Sequence, residues 1–182
     1  MFPAPIRIFI AWRFNRYSLY QMTQDLDQIL DNYSIIVQCL NEDQLQQIVK
    51  VPKSTGINEK MQNWSILMIL EHNIKVNELI QHTVTQLAHG KDIKASSLED
   101  IRAQVMPSEQ KNASQITEDF KASVLCFTKL IETELVDIDL KNTKTSQHML
   151  FGDFNAHQWA RMFVFHLKIH LKQARQVQRK LS

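Results

Sequence analysis

The sequence predicts an all-α fold, a four-helix bundle, on three observations. Four segments of roughly 20 residues carry apolar side chains at helical spacing. Only three glycines and four prolines occur, which favours long regular helices over tight turns. No segment has the alternation expected of a convincing strand, and no internal repeat is present.

The first helix is expected to begin at Thr23, an N-cap with Asp25 and Asp27 in the opening turn. Leu26, Ile29, Leu30, Tyr33, Ile36, Val37 and Leu40 then recur on one stripe. A short helical continuation, Asp43 to Val49, precedes the stop at Pro52, and Lys53-Ser54-Thr55-Gly56 reads as a loop. The second helix spans Ser65 to Leu87 and ends before Gly90, with Met68 or Ile69, His72, Val76, Leu79 and Ile80 facing inward. Residues 88–113 form a polar connection, in which Ser96-Ser97-Leu98-Glu99 has the pattern of a capping box for one short helix that stops at Pro107.

The third helix, Ser114 to Leu135, carries Ile116, Phe120, Val124, Phe127, Ile131 and Leu135 inward. The connection over 136–154 contains His148 and the apolar run Met149-Leu150-Phe151-Gly152, so it is expected to pack against the bundle. Asn155-Ala156-His157-Gln158 has the spacing of a cap, and the fourth helix continues to Lys180. The long connections between helices two and three and between three and four leave the order and handedness of packing open.

A chain of 182 residues suits one domain with a sizeable core, and residues 22–182 are assigned to it. Residues 1–21 are read as a loosely attached extension, and Met22 as an alternative start. The apolar run Phe2 to Trp12 is too short to span a membrane, and Arg13 and Arg16 follow it instead of preceding it, unlike a signal peptide. No membrane partner is therefore expected. A net charge of +2 with scattered cations argues against a nucleic-acid partner. The one basic cluster, Lys168, Lys172, Arg175, Arg179 and Lys180, reads as the solvated face and end of a helix. Cys39 and Cys126 lie on different predicted helices and are taken as buried thiols, a usage that fits a reducing cytoplasm.

The chemistry concentrates in the last helix. His166 and His170 are four residues apart, one turn plus roughly 40°, so both rings leave one face and can reach one ion. That face also carries Trp159, Met162, Phe163, Ala174 and Val177. Imidazoles aimed at a core need partners, because burying polar rings without them is costly. His72 sits on the inward stripe of a second helix. On these residues alone the trio reads either as metal ligands or as core histidines satisfied by neighbouring polar groups. Three neutral imidazoles with an open position is the arrangement of catalytic zinc sites, and imidazole suits other transition metals as well.

Trp64-Ser65, an apolar stretch and then His72 resemble the second-helix motif of the DinB/YfiT-like superfamily. Trp159 to Gln173, with its His-x-x-x-His, is similar to the matching C-terminal motif. The resemblance covers residues 22–182 and implies a metal triad of His72, His166 and His170. His148-Met149-Leu150-Phe151-Gly152 followed by Gln158-Trp159 further resembles an uncharacterised branch, whose run reads His-Pro-x-Phe-Gly. Here Met149 replaces the proline, and Ile169 replaces a histidine that often precedes the last ligand. Relatives are metal-binding four-helix bundles, and the characterised ones include thiol-dependent transferases and isomerases.

The expected function is thus a metal-dependent enzyme of the cytoplasm, a hydrolase or a thiol-dependent S-transferase, acting on a small-molecule substrate. Its cofactor would be a divalent transition metal (zinc, nickel, iron or manganese), with a low-molecular-weight thiol as cosubstrate in the transferase case. The alternative is a non-enzymatic metal-binding or stress-associated bundle, and a homodimer is compatible with either. A closed structural site would need a fourth ligand, for which His148 is the candidate; otherwise His148 lines the cavity or bonds locally in its loop. Glu71 reads as a surface carboxylate or one bonded to a ligand histidine, His157 as exposed, His82 and His89 as residues near a helix C-terminus, and Trp64 and Trp159 as packing residues. No Gly-rich phosphate loop, Gly-x-Ser-x-Gly elbow or His-Glu-x-x-His motif occurs, which excludes those enzyme classes.

Overall fold

The computed structural model describes residues 2–93, 97–108 and 112–181. In chain order the helices are α1 (Ala4–Asn15), α2 (Leu19–Gln38), α3 (Glu42–Gln46), α4 (Ile66–Ala88), α5 (Leu98–Gln104), α6 (Ala113–Thr133) and α7 (Ala156–Leu181). The four long predicted helices correspond to α2, α4, α6 and α7. Each of α2 and α4 packs along both α6 and α7, so α2 and α4 lie on one diagonal of the bundle and α6 and α7 on the other. The chain therefore crosses the bundle end between α2 and α4 and again between α6 and α7, whereas the long α4–α6 connection joins neighbouring helices.

Diagonal partners meet through large side chains in the centre. Phe127 of α6 stacks on Phe163 of α7 with ring centroids 3.9 Å apart. Tyr33 of α2 joins all three other long helices. Its ring lies edge-on to Phe120 of α6 at 4.7 Å. Its hydroxyl accepts from Asn73 Nδ2 of α4 at 3.0 Å and donates to the Leu167 carbonyl of α7 at 3.5 Å. The buried face of α4 is accordingly Ile66, Ile69, Leu70, Asn73, Asn77, Ile80, Val84 and Leu87, while Val76 and Leu79 are only half-buried. The expected stripe was rotated because two of the buried residues are asparagines, which an apolar pattern does not count.

Helix starts follow side-chain caps. α2 begins earlier than expected, with a reciprocal Ser18–Gln21 capping box in place of Thr23; the Thr23 hydroxyl instead bonds the Tyr20 carbonyl inside the helix. Asn41–Gln44 caps α3 separately, so the continuation after α2 is a new helix, and it ends before Val49. Ser65 caps α4 and Ser97 caps α5; Ser96, the expected cap of α5, lies outside the described residues. Asn155 and Gln158 exchange bonds at 2.9 Å to start α7, as their spacing predicts.

Two short antiparallel hairpins correct the expectation of no strands. β1 (Val49–Lys50) pairs with β2 (Asn63–Trp64), and β3 (Ser146–His148) pairs with β4 (Gly152–Phe154). Pieces this short have too few residues for an alternating pattern to register. Gly152 closes the second hairpin at a φ of 87°, a region that favours glycine. No helix among the described residues is long and apolar enough to cross a membrane.

Residues 2–21 contain α1 and the start of α2. Phe14 is buried against Phe154 and Phe165, Phe2 stacks on Phe151, and Gln158 Nε2 donates to the Ala11 carbonyl. This segment covers the first turn of α7. His157 is consequently buried, not exposed as expected, and bonds the Tyr17 backbone.

Two outcomes are expected. Tyr33→Phe leaves the Asn73 amide without its acceptor and should lower unfolding free energy by about 1–3 kcal/mol in urea titrations. His157 has its pKa depressed to about 4, by burial first and then by the charge of Lys141, against opposing contributions from its bond to Tyr17 and from Asp139. In the unfolded chain a histidine titrates near 6.5, so between about pH 6.5 and 4 the unfolded state binds more protons. The stability contribution of neutral His157 is present above that window and is lost as pH falls through it. His157→Gln should therefore flatten the acid-side fall of stability over this range.

Candidate metal centre

The close pairing of α4 with α7 brings together the three histidines expected as ligands. His72 lies in the second turn of α4, and His166 and His170 project from α7 toward it. One ring nitrogen from each of the three lies within 4.8 Å of the others. The Nε2 atoms of His72 and His166 are 3.2 Å apart. Two nitrogens bound at about 2.0–2.1 Å to one tetrahedral ion would be separated by about 3.3 Å, so this pair has the spacing of shared coordination. His72 and His170 are buried, and His166 is half-buried.

The far sides of the rings establish which nitrogens are free. His72 Nδ1–H donates to the Val105 carbonyl at 2.8 Å. His170 Nδ1–H donates to Gln173 Oε1 at 2.8 Å, and Gln173 Nε2 donates to the Met61 carbonyl at 2.7 Å, which orients the amide. Protons on Nδ1 leave the Nε2 lone pairs of His72 and His170 directed into the cluster. The 3.2 Å approach of His72 Nε2 to His166 Nε2 is satisfied either by an Nε2–H of His166 donating to His72 or by a cation shared between the two. His166 Nδ1 is buried with no hydrogen-bond partner. The indole of Trp64, on β2, packs against His72 and His170 at centroid distances of 5.0 and 6.2 Å.

Burial keeps all three rings neutral. It lowers His72 to about 4, assisted by Lys75 and opposed by the bond to Val105. It lowers His170 to about 3, assisted by His72 and opposed by Gln173. His166 lies well below the ordinary histidine value, through burial and then the neighbouring His170, His72 and His148. Neutral imidazole is the form that ligates metals.

A clamp beyond the ring contacts holds the Val105 carbonyl in place. Glu71 is buried, pairs with Lys75 at 2.9 Å, and accepts from the Ser108 backbone and hydroxyl at 3.0 and 3.1 Å. Lys75 also donates to the Met106 carbonyl at 2.7 Å. Glu71 therefore anchors the segment after α5. Sequence reading missed Gln173 and Val105. Gln173 carried a usable signal, because it lies three residues after His170 on the same helix. Val105 acts through its backbone and carried none.

His148 stands apart from the trio. Its Nδ1 accepts from the backbone N–H groups of Leu150 and Phe151 at 3.1 and 3.3 Å. The neutral ring therefore carries its proton on Nε2, an arrangement unsuited to a fourth metal ligand. Phe151, Phe154 and Trp159 surround it at centroid distances of 4.8, 5.4 and 5.2 Å, and burial lowers its pKa to about 4. Trp64 is a packing residue as expected, but it packs on the ligand candidates themselves. His82 is exposed and His89 is the C-cap of α4. Cys39 and Cys126 are exposed, not buried as expected: Cys39 is the C-cap of α2, and Cys126 lies on the outward side of α6.

Comparison with known proteins identifies the architecture. No family model matches the chain, and no curated protein matches it. Among solved structures the chain is similar to TT2238, a four-helix bundle protein, at 20% identity and a TM-score of 0.53. The match covers 87% of this chain and 98% of that one, and it shows the fold alone.

Proposed function

We propose that His72, His166 and His170 hold one divalent transition metal, and that the protein is a metal-dependent enzyme of the DinB/YfiT-like superfamily. The observation that carries this reading is the convergence of three neutral rings, two with Nε2 freed by oxygen acceptors behind them. Second contacts of that kind are what fix tautomer and orientation in metal sites. Zinc, nickel, iron and manganese are all compatible with an imidazole set.

A metal held there would supply Lewis acidity, activating water for hydrolysis or a small-molecule thiol for S-transfer onto an electrophile. The chain's own residues do the rest. Val105 and Gln173 hold His72 and His170 in their ligating tautomers. Trp64 excludes water behind the rings. His148, close enough to influence His166, offers a fixed Nε2–H donor to a small-molecule substrate. The absence of a fourth His, Cys, Asp or Glu from the group among the described residues favours an open site over a closed structural one. A non-enzymatic metal-binding bundle with a closed site is the second reading, and the His148→Ala variant separates the two. Cytoplasmic location and a homodimer complete the proposal.

The test is elemental analysis of protein purified without a histidine tag. About one equivalent of metal is expected in the wild type and none in a His166→Ala/His170→Ala variant that stays helical. No metal in the wild type, even after reloading with zinc, nickel, manganese or iron, overturns the proposal. Gln173→Leu should weaken metal affinity by about 10–100-fold in competition with a chelating dye. His148→Ala should keep full metal content if the site is open; joint loss of metal and of melting temperature would instead mark a closed structural site.

A further inference from the structure

Between α1 and α7 lies an open cavity of about 490 Å³, within the range of small-molecule sites, and none of the three histidines lines it. Its walls combine aromatic surface (Trp12, Tyr17, Phe165) with three arginines, Arg13, Arg16 and Arg161. The chain has no acidic residue before Asp25, so nothing on α1 offsets these charges.

Arg161 is the most constrained of the three. Its side chain is 13% exposed, its guanidinium lies 3.8 Å over the Tyr17 ring, and it reaches Asp25 Oδ2 only at 3.5 Å. That oxygen already takes the Tyr17 hydroxyl and the Lys168 ammonium, each at 2.6 Å. One carboxylate is thus shared by two cations. Arg13 adds charge near Arg161, and Arg16 faces the Trp12 ring at 4.7 Å instead of an acid. A partly buried guanidinium that shares its only carboxylate, with two exposed arginines beside it, favours binding an anion, and the guanidinium fork matches carboxylate and phosphate.

We propose that this cavity binds a small organic anion, a carboxylate or phosphate carried on an apolar body. Arg13 and Arg161 hold the charged group, and Trp12 and Phe165 pack against the body. The same chemistry is available from a free solute or from a lipid headgroup at a bilayer surface, where the exposed Ile8 and Phe9 of α1 would meet acyl chains.

The full chain is titrated by calorimetry with decanoate, decyl phosphate and, as a neutral control, decanol. In parallel it is sedimented with phosphatidylcholine vesicles with and without phosphatidylglycerol. Saturable binding of either decyl anion but not of decanol supports the proposal with a free solute as ligand. Binding confined to the phosphatidylglycerol vesicles supports it with a headgroup as ligand. Arg13→Gln and Arg161→Gln should each weaken the observed binding by about tenfold, the loss of one charge-assisted contact. If Arg161→Gln does not fold, Arg13→Gln with Arg16→Gln decides, since both side chains are exposed. Equal binding of decanol, unchanged binding by folded variants, or no binding in any arm overturns the proposal.

Discussion

The seam between α4 and α7 imposes one demand on the rest of the molecule: imidazole nitrogens have been moved out of bulk water, and those of His72 and His170 on the far side of the cluster are met by oxygen acceptors. Buried polar groups are costly when unpaired, and the neighbouring structure is arranged around that requirement. Val105 supplies a carbonyl to His72, and the Glu71–Lys75 pair fastens the segment that carries it. Gln173 supplies an amide oxygen to His170 and is itself oriented by Met61, next to the hairpin that presents Trp64. Two non-helical segments, otherwise free to vary, are drawn to the ends of these bonds.

The same demand explains the composition of α4. An apolar helix would pack as densely, yet Asn73 and Asn77 take central positions and bond Tyr33 and Ser123 on neighbouring helices. Such directional links specify which helix lies where, and apolar contact alone does so weakly. Tyr33 is the clearest case, because one side chain touches three partners with three different chemistries.

How much of this was legible varied by kind of signal. The four long helices, the Asn155–Gln158 cap and the convergence of His72, His166 and His170 could be read, because periodicity and spacing encode which face a residue occupies. The caps at Ser18 and Asn41 were equally explicit in sequence, but one lay in a segment set aside as an extension. The hairpins were too short to show a period. The burial of His157 depended on α1 docking over α7, a long-range event that no local pattern reports. The indifference of His148 to ligation depended on two backbone amides, which have no letter of their own in the sequence.

The diagonal connectivity of the bundle also has a consequence for biosynthesis. His72 and His166 are separated by 94 positions in the chain. During synthesis α4 leaves the ribosome long before α7 exists, with an imidazole and two asparagines on the face that will become core. Its neighbour α6 is the next long helix in the chain, but α7 is not, and closing so large a loop delays the final docking. The histidine cluster therefore assembles only when the C-terminal helix closes the bundle. A chain interrupted before that point presents one isolated histidine, so the complete cluster is a marker of finished folding.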